Sequence, residues 1–236
     1  MILAIMQPYF SPYLGYFSLM KHADKFIVFD TAQYIRHGWI ERNKILKPVE
    51  GWQYIQIPLQ KHSQKTPIQE IHINNSSSWK EKILSQIEHY KKRAPYYSEV
   101  KNLLTTILNP DYSHIVELDV CALKEISNYI GFNTPIEIFS EMGLTIEPVY
   151  EADEWALHIC KAIGNVSEYH NLPGGVDFFD TTKYQKANIP IYFQKIELQE
   201  YDQKRLVFEP GLSVLDVMMF NSPEEINTML DKYKFI

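Results

Sequence analysis

Three segments of this 236-residue chain have residue types that bind or transform small molecules, and the first is the loop Gln7–Tyr16. It follows an apolar run and leads into a helical pattern, and in open α/β sheets ligands bind at such strand ends. Gly15, near the start of the helix, would let a phosphate approach the backbone amides. The alternative is a proline-stiffened loop whose aromatic residues pack into the core. The candidate ligand contacts here are Gln7, Tyr9, Tyr13, Gly15 and Tyr16.

The second segment begins where another apolar run, Phe26 to Phe29, ends. Because arginine contacts phosphate and carboxylate groups at two points, we expect Arg42 to clamp an anion, with Asn43 beside it holding a phosphate or an oxyanion. Asp30 or His37 is predicted to accept a proton. The alternative is that Asp30 caps a turn and that the arginine side chains are solvated. The candidate residues of this segment are Asp30, Gln33, Arg36, His37, Arg42 and Asn43.

The third segment is the loop Asn171–Gly175, which contains the paired glycines Gly174 and Gly175. Adjacent glycines permit a close approach of the backbone to a ligand, and a tight turn alone also explains them. Farther on, Ser213 is predicted to be the N-cap of a helix and not a nucleophile, because its context is not a G-x-S-x-G elbow.

The sequence predicts neither a metal site nor a cofactor. The eight histidines are scattered without an H-x-x-x-H pair, and no carboxylate cluster has the spacing of metal ligands. A phosphate-binding Walker loop and a G-x-G-x-x-G fingerprint are both absent. The two cysteines, Cys121 and Cys160, lie far apart, which excludes a zinc ribbon and a disulfide scaffold and agrees with a reducing cytoplasm.

The composition favours a globular protein that lies in the cytoplasm. The formal net charge of −6 argues against a general nucleic-acid binder, although a local basic patch could still bind a phosphate or a tRNA end. No stretch is long enough to span a membrane. The apolar start, Met1 to Met6, is too short for a signal peptide because Gln7 and Pro8 end it.

The apolar patterns predict one α/β domain over residues 1–236. Strands at 2–6 and 26–29, with a helix at 14–21 between them, form the opening of a parallel βαβ unit. A strand at 52–59 is expected to pair with a strand containing Ile68, Ile71 and Ile73. Helices crowd the segment 79–130, which indicates a helical insertion or lobe. The remaining predicted elements are helices at 79–93, 98–108, 114–130, 151–163, 181–187, 214–220 and 223–232 and strands at 136–139 and 189–193.

The segments Ala4–Tyr9 and Pro12–Phe17 resemble the signature opening of the WbqC-like family. Many relatives carry His where this chain has Met6, which argues against a catalytic role for that position. The resemblance continues through Asp30, Gln33-Tyr34, Trp39, Arg42–Ile45, Gly51–Gln53, Pro173–Gly175, Tyr201, Gln203, Phe208, Pro210–Ser213 and Asp216.

The resemblance implies a role in building bacterial surface polysaccharides of the O-antigen type. It also implies that Asn171–Gly175 and Ser213–Asp216 complete one cleft with the first two segments. The opening is loosely similar to nucleotidylyltransferases and class I tRNA synthetases, which implies a Rossmann-like parallel sheet with a nucleotide-shaped cleft. The two phosphate-binding histidines of those enzymes are missing, which disfavours nucleotidyl transfer.

Two functions therefore remain open. The first is a transferase that adds an acyl or aminoacyl group, from an acyl donor or a charged tRNA, to a nucleotide-linked amino sugar. The second is a non-catalytic protein that binds a nucleotide sugar, another phosphate-bearing small molecule or a partner enzyme. The transferase is the preferred interpretation, because of the pathway that the resemblance implies, the polar residues at the strand ends and the aromatic residues suited to stacking on a base or sugar. The missing metal site, nucleophile elbow and phosphate-binding histidines give weight to the second.

Overall fold

Strands and helices alternate along much of the computed structural model, which describes residues 1–236. The strands are β1 (Ile2–Met6), β2 (Lys25–Val28), β3 (Arg42–Leu46), β4 (Trp52–Gln56), β5 (Ile136–Ile138), β6 (Glu168–Asn171), β7 (Ile191–Ile196) and β8 (Tyr233–Phe235). The α-helices are α1 (Leu14–Lys21), α2 (Trp79–Gln86), α3 (Tyr97–Leu108), α4 (Ile115–Ile130), α5 (Glu154–Ile163), α6 (Thr181–Lys186), α7 (Val214–Phe220) and α8 (Pro223–Leu230). The α/β class that the sequence predicts is confirmed.

Six of the strands form one sheet in the order β5-β2-β1-β6-β7-β8. All neighbours are parallel except β7 and β8. Counted along the chain within this sheet, the order is 3-2-1-4-5-6. The chain thus builds outward from β1 on one side and then returns to pair β6 on the other side. The gap between the carboxyl ends of β1 and β6 is a topological switch point, the usual ligand position in such sheets.

The alternation of side chains along β1 divides the core between the two faces of the sheet. Ala4 belongs to a core of 47 buried residues, which also contains Phe26 and side chains of α1, α3, α4, α7 and α8. Leu3 and Ile5 belong to a smaller core of 11 buried residues, formed with α5 and Tyr184 of α6. Because both faces are covered, β1 is an uninterrupted apolar run, as is typical of a parallel strand.

The helices of the segment 79–130 share the larger core with the sheet. Ile83 of α2, Leu104 of α3 and Leu123 of α4 are all fully buried in it. The helix predicted over 79–93 ends at Gln86, and a 3-10 helix covers Glu88–Lys92. No helix in the chain has the combination of length and apolar character that a bilayer crossing requires.

The strands β3 and β4 form a separate antiparallel hairpin in which Asn43 pairs with Ile55. The predicted pairing of the 52–59 strand with the segment Ile68–Ile73 occurs at one end only. An antiparallel bridge joins Leu59 to Ile73, whereas β4 ends at Gln56 and Ile68 begins a 3-10 helix. The three isoleucines of this segment are buried although it contains a 3-10 helix and isolated bridges in place of a strand. Their spacing therefore resembles that of a buried strand without forming one.

The larger core contains a carboxyl group that has no hydrogen-bond partner. Asp119 of α4 is fully buried, and neither of its carboxylate oxygens has a partner. Burial raises its pKa well above the ordinary aspartate value, and the nearby Glu41 carboxylate raises it further. The folded protein therefore holds Asp119 as the neutral acid.

Replacing Asp119 with asparagine should stabilise the fold at neutral pH. The unfolded chain ionises at this position near pH 4, whereas the folded chain keeps the proton, so native stability falls as pH rises from about 4 towards the raised pKa. Asp119→Asn has a similar shape without this proton, so its free energy of unfolding should exceed the native value at pH 7. Urea denaturation at pH 5 and pH 7 measures the difference. The exposed control Asp177→Asn should change neither value, and an unchanged pH dependence in Asp119→Asn would contradict the assignment.

Candidate functional site

A cleft of about 570 Å³ opens at the carboxyl ends of β1, β2 and β6. It lies at the switch point of the sheet, where β1 is bordered by β2 on one side and β6 on the other. Hydrophobic residues make up 14 of its 22 lining residues, and none of the 22 is Asp, Glu, Lys, Arg or His. The cleft therefore suits a ligand that presents apolar or aromatic surface and a few neutral polar groups.

The loop after β1 forms one wall of the cleft. Gln7, Tyr9 and Tyr13 line it, as the sequence suggested for this loop. Tyr16 lies behind the wall, where its ring packs 5.5 Å from that of Tyr9 and its hydroxyl donates to the Gln7 carbonyl at 2.8 Å. Burial raises the pKa of Tyr9 and of Tyr13, so both phenols stay protonated at neutral pH.

Gly15 has a packing role in place of the phosphate contact that the sequence suggested. It is buried in α1 and does not line the cleft. A Cβ atom at this position would lie 2.4 Å from the ring of Tyr13. The glycine therefore leaves room for the Tyr13 ring to lie back over the start of the helix and face the cleft.

Two side chains from distant elements hold this loop in place. The Asn43 amide of β3 donates to the carbonyls of Phe10 at 3.1 Å and Ser11 at 2.8 Å, and it lines the cleft as well. The Ser213 hydroxyl donates to the same Ser11 carbonyl at 2.6 Å. Ser213 also accepts from the amide of Leu215, which confirms it as the N-cap of α7.

The loop after β6 forms the opposite wall. Asn171, Gly174 and Gly175 all line the cleft. The Asn171 amide donates to the Tyr169 hydroxyl at 2.6 Å, so this side chain is occupied in holding the end of the strand. A Cβ at Gly175 would come within 2.9 Å of the Phe179 ring, whereas one at Gly174 would meet no atom within 4 Å.

A third wall comes from helix α5 and from aromatic residues that the sequence pattern does not mark as ligand contacts. Trp155, Ala156 and Ile159 face the cleft from α5, and the Phe29 ring lies 5.4 Å from the ring of Trp155. The spacing of 155, 156 and 159 places these residues on one helix face, which sequence periodicity assigns to the core. The remaining aromatic contacts with this wall are Phe178 and Phe179.

Asp30 lies behind the cleft, where its carboxylate is hydrogen-bonded to Ser140. Both of its oxygens accept hydrogen bonds from Ser140, one from the backbone amide at 3.1 Å and one from the hydroxyl at 2.5 Å. Asp30 is almost completely buried and does not line the cleft. It ties the end of β2 to the segment after β5, and the expected role as a proton acceptor in the cleft has no support in this geometry.

Arg42 binds the turn that precedes its own strand. Its guanidinium donates to the carbonyls of His37 at 2.6 Å and Gly38 at 3.1 Å, and it lies 4.3 Å from the centre of the Tyr54 ring. It makes no ion pair with Asp30, and neither Arg42 nor the exposed His37 lines the cleft. Gln33 also points elsewhere and donates to the Gln64 carbonyl at 2.6 Å.

Positive charge nevertheless lies at one edge of the cleft, around Trp39. This residue lines the cleft and is 39% exposed. The ammonium group of Lys44 lies 5.4 Å from the centre of the Trp39 ring. Arg36 and His37 are exposed and precede Trp39 by three and two residues. We call this edge, formed by Trp39 and Lys44 with the exposed Arg36 nearby in the chain, the basic rim.

Asp216 belongs to a buried network behind the cleft. Its carboxylate accepts from the hydroxyls of Tyr90 and Tyr201 and from the amide of Gln203. Burial raises the pKa of Asp216 to about 6, while these hydrogen bonds act in the opposite direction. The residue of this segment that lines the cleft is Gly211 and not Asp216.

The structure thus brings together only part of the set that the sequence suggested. The suggested residues that line the cleft are Gln7, Tyr9, Tyr13, Asn43, Gly174 and Gly175. Those that lie outside its lining are Gly15, Tyr16, Asp30, Gln33, His37, Arg42, Ser213 and Asp216.

Comparison with known proteins gives one family and one relative. The model of the WbqC-like protein family matches residues 7–228, a range that begins at the first residue of the loop after β1. The uncharacterized protein Rv1507c of Mycobacterium tuberculosis is 27% identical over 221 residues, which cover 92% of each chain. No solved structure matches this chain.

Alanine substitutions at Gly15 and Gly174 test whether the space around each glycine is filled, as it is at Gly15, or open, as it is at Gly174. Gly15→Ala drives a methyl group into the Tyr13 ring and should lower the free energy of unfolding by about 1–2 kcal/mol. Gly174→Ala meets empty space and should change it by about 0.5 kcal/mol or less. Urea denaturation of both variants measures the contrast, and equal stabilities would contradict the proposed packing.

Arg42→Ala tests whether this residue braces a turn or clamps an anion. Loss of two charge-assisted bonds to carbonyls at a partly exposed site should cost about 1 kcal/mol of unfolding free energy. Arg42→Lys should restore little, because an ammonium group cannot span both carbonyls in one plane. Thermal unfolding and titration with UDP-N-acetylglucosamine on the same samples decide the question. Affinity lost from a fully stable variant would identify an anion clamp.

Proposed function

This chain belongs to the WbqC-like protein family, and from that membership and its cleft we propose that it acts on a nucleotide-linked amino sugar. The sugar would be a precursor of a bacterial surface polysaccharide of the O-antigen type. The observation that carries the proposal is the aromatic, uncharged cleft at the switch point of the sheet. The 3-2-1-4-5-6 strand order supports a Rossmann-like sheet, a fold that places nucleotides at this position.

The parts of a nucleotide sugar correspond to different parts of the cleft. Tyr9, Tyr13 and Trp39 offer ring faces on which a base or a pyranose can stack. Gln7 offers an amide that can donate and accept hydrogen bonds. The diphosphate would lie at the basic rim, outside the uncharged lining, where the cations of Lys44 and Arg36 attract it.

The proposed reaction is transfer of an acyl or aminoacyl group to the sugar amine. The amine nitrogen forms a bond to the acyl carbonyl carbon, the bond from that carbon to the donor breaks, and the amine proton passes to a base. The donor would be an activated acyl compound or a charged tRNA. His37, which is exposed and two residues before Trp39 in the chain, is the proposed base, since Asp30 is occupied by Ser140. The free cysteines Cys121 and Cys160 support a cytoplasmic location, where such precursors would be available.

A second candidate function is binding without catalysis. The observation that favours it is the absence of carboxylate, imidazole and amine side chains from the lining. Tyrosines are the ionisable groups that remain there, apart from any that a substrate brings. Because the pKa values of Tyr9 and Tyr13 are raised, these groups donate hydrogen bonds and do not take up protons at neutral pH.

Product formation separates the two candidates. The purified protein is incubated with UDP-linked amino sugars and a panel of acyl donors that includes charged tRNA, and products are followed by mass spectrometry. Calorimetric titration of the same sugars runs in parallel. We expect saturable binding and an acylated sugar; saturable binding without product across the panel would favour the non-catalytic function, and no binding would contradict both.

A cleft variant and a matched surface variant tie the binding to this site. Tyr9→Ala removes a stacking ring and should weaken binding of UDP-N-acetylglucosamine by roughly 3- to 10-fold, the equivalent of about 0.5–1.5 kcal/mol. Tyr150→Ala removes a tyrosine that is 86% exposed and lies outside the lining, so the affinity should not change. Equal effects of the two variants would place the binding site elsewhere.

A further inference from the structure

The side of the cleft that faces α5 differs chemically from the side formed by the loop after β1. Its lining residues are Ile5, Phe29, Trp155, Ala156, Ile159 and Phe179, and we call this surface the apolar wall. Every member either belongs to the smaller hydrophobic core or packs against it. The apolar wall is therefore one exposed edge of a rigid core and not a flexible surface.

The apolar wall offers few groups to a hydroxyl: the indole N–H of Trp155 is the one side-chain hydrogen-bond donor among its six residues. Two polar side chains elsewhere in the lining, Tyr169 and Asn171, are hydrogen-bonded to each other at 2.6 Å. Asn171 also accepts from the amide of Leu172 at 2.6 Å. A sugar ring carries several hydroxyl groups, and most of those buried here would lose their hydrogen bonds to water without replacement, which costs free energy. The apolar wall therefore favours hydrocarbon over the hydroxyl-bearing edge of a sugar.

The size of Ala156 creates the space along this wall. Ala156 lies in the middle of α5 between Trp155 and Ile159, and all three line the cleft. A larger aliphatic residue at this helix position would fill part of the cavity instead of leaving it open. Because the space is an open cleft beside a packed core, a hydrocarbon group that enters it displaces water and gains the free energy of burying apolar surface.

We infer that the apolar wall binds the aliphatic chain of an acyl group that becomes, or already is, attached to the sugar amine. This inference rests on the proposed function and narrows its substrate class from acyl or aminoacyl groups to groups with a hydrocarbon chain. The sugar ring then lies against Tyr9 and Tyr13, and the acyl chain points towards α5. The length of the chain that the protein prefers is set by the space beside Ala156.

A series of probes that differ only in acyl length tests this inference. UDP-glucosamine acylated with acetyl, butanoyl or hexanoyl groups is titrated calorimetrically into the full-length protein. Affinity should rise by about fourfold for each CH₂ that enters the cleft, which corresponds to about 0.8 kcal/mol at about 1.4 kcal/mol per tenfold. The rise should stop once the chain fills the space.

Two opposite changes in cavity size provide the controls. Ala156→Val should shift the preferred chain to a shorter one, and Ile159→Ala should shift it to a longer one. Tyr150→Ala, which lies outside the lining, should leave the preferred chain length unchanged. Thermal unfolding checks that each variant is folded. If one variant does not fold, the change in preferred chain length in the other variant still tests whether the apolar wall binds the acyl chain.

The outcomes separate failure of this inference from failure of the proposed function. Equal affinity for all three probes, or a length preference that neither variant moves, would overturn the acyl assignment and leave the proposed function standing. No binding of any probe would overturn the proposed function itself.

Discussion

Two buried carbonyl groups, those of Phe10 and Ser11, must find donors inside the protein, and the cleft depends on the donors that they find. The Asn43 amide donates to both, and the Ser213 hydroxyl donates to Ser11. A buried carbonyl without a partner costs about 1–3 kcal/mol, so these bonds decide where the loop after β1 lies. One donor comes from the separate hairpin and the other from α7. The hairpin and the C-terminal helices are thereby attached to the wall that carries Tyr9 and Tyr13.

The two fully buried aspartates differ in whether hydrogen bonds offset the free energy cost of removing a carboxyl group from water. Asp216 accepts hydrogen bonds from three donors in two segments, and its pKa rises only to about 6. Asp119 has no donor, so its pKa rises well above the ordinary value and the group stays neutral. Asp216 therefore joins Tyr90 and Tyr201 through hydrogen bonds. Asp119 is buried in the larger core without such bonds, which lowers the free energy of unfolding. Nothing in the structure explains why α4 retains an aspartate at position 119.

The sequence predicts best where a local pattern is sufficient. The run Ile2–Met6 with its closing prolines identifies β1 and the loop beyond it, and Gly131 stops α4 with a φ of +98°. β6 is missed because Glu168, His170 and Asn171 make a buried strand look polar. These polar groups take local partners, as in the 2.8 Å contact between Glu168 and His170, and a hydrophobicity pattern does not register such pairs. Asp30 lies at a strand end as expected, but Ser140, which takes up its carboxylate, is 110 residues away.

The central position of β1 also governs the order in which the molecule can form. One edge of β1 pairs with β2, which lies within the first 30 residues of the chain. The other edge stays unpaired until β6 is in place, where Ile2 lies opposite Glu168. Contacts between such distant residues make folding slow, and an unpaired strand edge is exposed until they form. Two of the three walls of the cleft follow β1 and β6, which are far apart along the chain, so the cleft is completed late. A ligand that bridges them acts mainly by slowing unfolding and does little to speed folding.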